Sequence, residues 1–288
     1  MSLQQTIVNM AQDFVGSNNL NLLLPIGQFG TRLMGGKESA SARYIFTNLN
    51  PLCRILFPEE DDALLPQIED EGMKIEPTFY QPIIPMVLVN GAEGIGTGWS
   101  TSIPCFNPRD IIDNIKGRLR DSNFEFKRMH PWYKNFIGTI EPAPDCPGSY
   151  TVSGKWSQLD KKSIEITELP IKKWTRDYKT MLEEMMMKND LIEDIREFHT
   201  DNTVCFVVSL MEDVRKVDNG VQGGILKKLR LQTNISANNY VLFDLNGHIK
   251  KYRDECEILE DFFGERLKLY HDRKAHLLKL LKRDCQML

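Results

Sequence analysis

The sequence predicts an α+β chain, and three observations carry the prediction. Apolar residues recur with helical spacing at the start of the chain, over 108–120, over 174–189 and from Asp254 onward. Between them lie short runs of β-branched and aromatic residues bounded by Gly, Pro and Asn. The 288 residues, 41% hydrophobic and 26% charged, are enough for a sizeable core and about two domains.

Taken in order, Ser2-Leu3-Gln4-Gln5 fits a capping box. Apolar residues at 3, 7, 10, 11, 14 and 15 then predict a helix of about four turns that stops at Gly16. Residues 16–43, rich in Gly, Asn and Ser, predict turns and brief strands. The acidic stretch 59–76 reads as a loop, and 83–89 as an apolar strand closed by an Asn90-Gly91 turn. A helix over 108–120 sets Ile111, Ile112, Ile115 and Leu119 on one face, and strands follow at 138–140, 150–152, 163–166 and 203–210. The methionines of the 174–189 helix read as adaptable core. From Asp254 a helix carries Ile258, Leu259, Phe262, Phe263, Leu267 and Tyr270, then Leu277, Leu278 and Leu281, opposite a solvated basic face.

Composition excludes more than it proposes. Six widely spread cysteines form no C-x-x-C pair and no Cys/His cluster, so reduced thiols are expected, with neither a disulfide framework nor a zinc site. No stretch approaches the ~20 apolar residues of a membrane helix and no signal-peptide pattern opens the chain, which reads as soluble and intracellular, with no membrane partner. The net charge of −4 does not suggest a nucleic-acid binder, but charge is uneven. Arg32, Lys37, Arg43 and Arg54 fall in one segment, followed by a carboxylate-rich one, so a positive patch beside an acidic surface is expected; both runs also read as solvated faces.

Arg43-Tyr44, downstream of Gln28-Phe29-Gly30-Thr31-Arg32 and Gly35-Gly36-Lys37, carries the chemistry. A free phenol ionises near pH ~10, so a tyrosine nucleophile needs help from a base, a metal or positive charge. Arginine offers a planar fork of donors to two phosphate oxygens, suited to a crowded phosphoryl transition state. The set predicts phosphotyrosyl transfer, with Tyr44 attacking, Arg43 stabilising, and Lys37 and Arg32 holding flanking phosphates. Taken alone, the dipeptide also reads as the start of a strand with a half-buried ring. Gly94-Ile95-Gly96-Thr97-Gly98 lacks the G-x-x-x-x-G-K-[ST] pattern of a nucleotide loop. An isoleucine between glycines can instead wedge between base pairs where backbone approaches DNA closely, although it also reads as a buried residue in a tight turn. His199 reads as structural.

The segment from Phe14-Val15-Gly16-Ser17 through Pro25-Ile26-Gly27-Gln28-Phe29-Gly30-Thr31-Arg32 to Arg43-Tyr44-Ile45-Phe46-Thr47 resembles eukaryotic DNA topoisomerase II around its DNA-cleaving tyrosine. So do 82–100, Tyr133-Lys134-Asn135-Phe136, Glu168-Leu169-Pro170, His199-Thr200-Asp201 and Val241-Leu242-Phe243-Asp244, in order over nearly the whole chain. The resemblance implies a partial winged helix-turn-helix domain over 1–80, an α/β tower domain over 81–250 and the start of a coiled-coil helix over 251–288. It implies a Tyr44 link to a 5′ phosphate during double-strand passage, and double-stranded DNA bent by Ile95. Trp174, after Lys172-Lys173, matches a DNA-contacting tower residue or packs in the core. The resemblance also implies a second copy or a full-length topoisomerase II subunit as partner, in a weak dimer, and a nuclear location. The family uses Mg2+ held by a TOPRIM domain and ATP held by an ATPase domain. Neither signature occurs in these residues, nor does the exit gate, so the expectation is that they bind and bend DNA but cleave it poorly by themselves. The alternative is a truncated DNA-binding or regulatory module without turnover.

Overall fold

The computed structural model describes residues 2–144, 146–188, 191–218 and 224–287. The first helix, α1 (Ser2–Ala11), is shorter than the predicted four turns. Asn18 ends it, its amide donating to the carbonyls of Asn9 and Gln12 and drawing the chain into a turn before Gly16. Two antiparallel segments around Leu23–Leu49 and Ile26–Phe46 follow, bridged by Leu24 N–H to Asn48 (2.8 Å) and by reciprocal bonds between Ile26 and Phe46 (3.1 and 2.9 Å). Isolated bridges thus stand where brief strands were expected in the 16–43 region. A short α2 (Cys53–Leu56) comes next.

The acidic 59–76 stretch is not a loop. It forms a 3-10 turn at Glu59–Leu64 and a hairpin of β1 (Gln67–Asp70) and β2 (Met73–Pro77). Glu71-Gly72 makes the tight reversal with positive φ at both residues, a signal masked by the surrounding charge. The 83–89 strand is also corrected: the chain forms α3 (Met86–Asn90). Pro85 stands at its N-cap, and its carbonyl accepts from Leu88 N–H at 3.0 Å, so the proline begins a helical turn that a short apolar run cannot distinguish from a strand. Gly91, at φ 69°, ends that helix rather than closing a hairpin.

A hairpin of β3 (Ala92–Gly96) and β4 (Trp99–Ile103) carries Ile95, and α4 (Pro108–Arg120) follows with Asn107 capping it at 3.0 Å. On its apolar face Ile111 is fully buried, whereas Leu119, near the C-terminal end, is exposed. Next come β5 (Thr139–Pro142), β6 (Ser149–Ser153), β7 (Lys155–Gln158), β8 (Ser163–Glu168), α5 (Thr175–Met187), β9 (Ile192–Glu197) and β10 (Phe206–Leu210). The chain continues through α6 (Val214–Asp218), α7 (Gly224–Lys228), β11 (Gln232–Ser236), β12 (Tyr240–Phe243), β13 (Ile249–Tyr252) and the 33-residue α8 (Glu255–Met287).

The strands form an antiparallel four-stranded sheet, β7-β8-β10-β9, a three-stranded sheet, β11-β6-β5, and separate hairpins. In the larger sheet, Ile164, Ile166, Phe206 and Val208 pack with Tyr178 and Leu182 of α5, one buried row on a helix presented to a sheet face. A second core joins Leu56, Leu88, Phe106, Ile111, Tyr240, Tyr252 and Leu259. Residues from all three predicted segments thus share one apolar interior. Among the described residues, no helix is long and apolar enough to cross a membrane.

Candidate functional site

Tyr44 ends a single 3-10 turn, Ala42–Tyr44, whose Tyr44 N–H donates to Ser41 at 2.9 Å. The turn enters the ladder at Phe46, so the phenol projects from a braced corner of backbone. Tyr44 is 67% exposed. Arg43 is also exposed, and its guanidinium carbon lies 4.9 Å from the Tyr44 ring centroid. The strand-start alternative expected a half-buried ring; the ring here is open to solvent beside a cation, as a nucleophile for a macromolecular phosphodiester requires.

The preceding loop is held from several sides. Glu38 accepts from Thr31 N–H at 2.7 Å and from the Thr31 hydroxyl at 2.5 Å. Burial pushes the Glu38 carboxyl up, but the Thr31 donors and nearby amides outweigh it and hold it below its ordinary value. Buried Gln12 donates to the Phe29 carbonyl at 2.9 Å. The amides of Thr175 and Arg176, at the start of α5, donate to the carbonyls of Arg32 (3.3 Å) and Leu33 (3.0 Å). Donors that a helix start leaves free therefore anchor the loop. Lys37 is exposed on it, as a phosphate-holding residue would be.

Arg32 and Trp174 are less open to solvent than Lys37. Arg32 is 6% exposed and pairs with buried Glu168, whose carboxylate also accepts from Leu169 N–H (2.9 Å) and Ile137 N–H (3.3 Å). Its charge is paired inside the protein, where desolvation demands a partner, instead of standing in solvent as Lys37 does. Trp174 is half-buried at the junction between the loop and α5, meeting Phe14 edge-on at 5.8 Å. A side chain on Gly35, at φ 66°, would fall inside the indole. Close approach of backbone to ring requires that glycine, and packing rather than DNA contact is the role this geometry displays. His199, partly buried against Phe206 and 3.5 Å from Glu197, is structural and is not brought to Tyr44.

Ile95 stands on the β3–β4 hairpin with 93% of its surface exposed. That excludes the buried-turn alternative and leaves an apolar side chain with nothing to cover it. The sequence did not single out the residues that set this hairpin against the Tyr44 ladder. Asn19, 3% exposed, donates to the carbonyls of Val89 (3.0 Å), Phe106 (3.2 Å) and Trp132 (3.1 Å) and accepts from Lys134 N–H. Asn90 exchanges bonds with Leu20 N–H (2.9 Å) and the Leu20 carbonyl (2.8 Å). Both asparagines looked like turn residues, and the only local sign was their place beside Gly- and Asn-rich segments. Glu93, two residues before Ile95, pairs with Lys172.

Among the described residues, no three His, Cys, Asp or Glu side chains come together as a metal site would need. What the arrangement can present to a polymer is a phenol, a guanidinium and an exposed apolar side chain.

The family described as DNA gyrase/topoisomerase IV, A-type subunit, matches residues 1–288. The chain is 52% identical over 286 residues to DNA topoisomerase 2-alpha of Sus scrofa and, equally, to that of Homo sapiens, covering 98% of this chain and 18% of each relative. It therefore spans less than a fifth of those proteins. The crystal structure of the Plasmodium falciparum topoisomerase II DNA-binding, cleavage and re-ligation domain superposes with a TM-score of 0.90 at 46% identity, over 98% of this chain and 38% of that one.

Proposed function

Because the chain belongs to the DNA gyrase/topoisomerase IV family, on the side of its A-type subunit, we propose that it is the breakage-reunion segment of a type IIA topoisomerase, in which Tyr44 attacks a DNA phosphodiester. The phenolic oxygen bonds to the phosphorus and the 3′ oxygen of the broken strand leaves, giving a 5′-phosphotyrosyl link. Attack by that 3′ oxygen reverses it. The observation that carries the reading is the exposed Tyr44 phenol on a braced turn with the Arg43 guanidinium alongside it. Arg43 neutralises charge that grows on the phosphoryl oxygens, a contribution larger in the transition state than before it. Lys37 steadies a neighbouring phosphate, and Ile95 enters the stack and kinks the duplex.

In this reading 1–80 is the tyrosine-bearing winged-helix part, 81–250 the tower and 251–288 the start of the coiled coil. The working unit is a dimer with one tyrosine per strand, located in the nucleus. Mg2+ and ATP act through TOPRIM and ATPase segments outside these residues, and the 288 residues alone bind and bend DNA with little cleavage.

The test uses end-labelled duplex and Mg2+, with the chain alone and with a TOPRIM-containing fragment added, and detergent to trap covalent complexes. A 5′ adduct that needs both Tyr44 and the added fragment is expected. Good DNA binding without an adduct in either condition overturns the nucleophile assignment and leaves the DNA-binding module.

A further inference from the structure

The Ile95 hairpin does not stand alone. Ser102 N–H donates to the Asn239 carbonyl at 2.9 Å, an antiparallel bridge that joins β4 to β12. Asn239 also donates to the Ser100 carbonyl at 3.2 Å, and Val241 N–H donates to the Thr101 hydroxyl at 3.2 Å. Within the hairpins, Ile95 lies opposite Ser100, Val241 opposite Lys251, and Phe243 opposite Ile249. Carrying the bridge register on by two residues sets Ser100 beside Val241. Directly opposed residues and residues two apart share a face of a pleated sheet. Ile95, Val241, Phe243, Ile249 and Lys251 therefore lie on one surface, while Tyr240, Leu242 and Tyr252 turn inward to the core.

That surface is apolar and open. Phe243 is 72% and Ile249 45% exposed, and with Ile95 and Val241 they line one concavity of about 350 Å³. Its charges differ in how they are engaged. Glu93, on the Ile95 face of β3, is engaged by Lys172, and Asp244 accepts from the amides of Asn246 (2.9 Å) and His248 (2.8 Å). Lys250 points away and pairs with Asp261 at 2.8 Å. Lys251 is exposed and has no acidic partner among the described residues.

We propose that the β12–β13 hairpin is a second DNA-contacting element, in which Phe243 and Ile249 pack against the sugars and opened minor-groove edge of the duplex kinked at Ile95, and Lys251 binds a backbone phosphate. The inference rests on the reading of Ile95 as a wedge. A lone wedge opens a base step, and the bend persists when extra contact area offsets the lost stacking. An apolar floor flanked by an unpaired cation fits a minor groove, whose walls are deoxyribose and whose rims are phosphate.

The experiment measures bending by energy transfer across a short duplex with a dye at each end, and affinity by anisotropy across a salt series. It uses the full chain, Ile95→Ala, Phe243→Ala/Ile249→Ala and Lys251→Gln, with circular dichroism and sedimentation on each. The double variant is expected to weaken binding about tenfold and to lower the bend, with the fold and oligomeric state unchanged. Lys251→Gln is expected to reduce the salt slope by about 1. A duplex bent by the unmodified chain in an Ile95-dependent way, but equally bent and bound by the double variant, overturns this proposal and leaves the wedge standing. No bending by the unmodified chain overturns both. A double variant that changes only the sedimentation of the protein overturns it in favour of a contact between copies of the chain.

Discussion

Exposure keeps Arg43 and Tyr44 available as candidates, because a buried phenol could not reach a duplex. If Arg43 acts on charge that develops during transfer, Arg43→Gln lowers the single-turnover cleavage rate measured with the TOPRIM-containing fragment and Mg2+ present by about 10²–10³ and changes DNA affinity by less than about threefold. Equal losses in rate and binding would make it a ground-state phosphate clamp instead. Glu38 gives a pH-dependent prediction. A carboxylate depressed by folding contributes stability that is present above its unfolded value and lost as the pH falls through the folded one. The Thr31–Glu38 turn therefore loosens as the pH drops below 4.5, and Glu38→Gln removes that dependence. Amide exchange at Thr31 and Gly36 reads it; protection that stays flat from about pH 6 to about pH 3 contradicts it.

At the scale of elements, the loop before Tyr44 belongs to α5 as much as to its own segment. Two helix-start amides, the Trp174 ring beneath Gly35 and the Arg32–Glu168 pair all join it to the segment that holds β8 and α5. Trp174→Ala removes the ring and should destabilise the protein by about 3 kcal/mol, measured by denaturant unfolding. Loss of DNA affinity with stability unchanged would return Trp174 to the DNA surface.

Across the whole molecule, α8 is tied to the segment after Tyr44 by a buried ionic cluster. Asp61, 3% exposed, lies 2.8 Å from Arg266 Nη1 and accepts from Arg273 Nη2 at 3.0 Å. Both guanidiniums flank the Tyr270 ring, at 4.1 and 5.0 Å, and Arg266 also donates to the Gln81 carbonyl. Removing one member of such a cluster leaves a buried charge without its partner. Asp61→Ala is expected to cost about 3–5 kcal/mol in denaturant unfolding, and a loss below about 1 kcal/mol would class it with surface pairs.

The sequence by itself determined the α+β class, the spans of α4 and α5, the long C-terminal helix, the candidate nucleophile and the family resemblance. Those depend on local periodicity, capping and short motifs, which neighbouring residues carry in full. Only the tertiary structure decided what each polar or aromatic group faces. Arg32 and Lys37 look alike in sequence, yet Glu168, 136 residues away, takes one inward while the other stays in solvent. The 83–89 run had enough apolar residues for either a strand or a helix, and Pro85 with the surrounding core selected the helix. Ile95 could have been buried or bare, and no local pattern says which, because exposure is set by what the rest of the chain brings alongside.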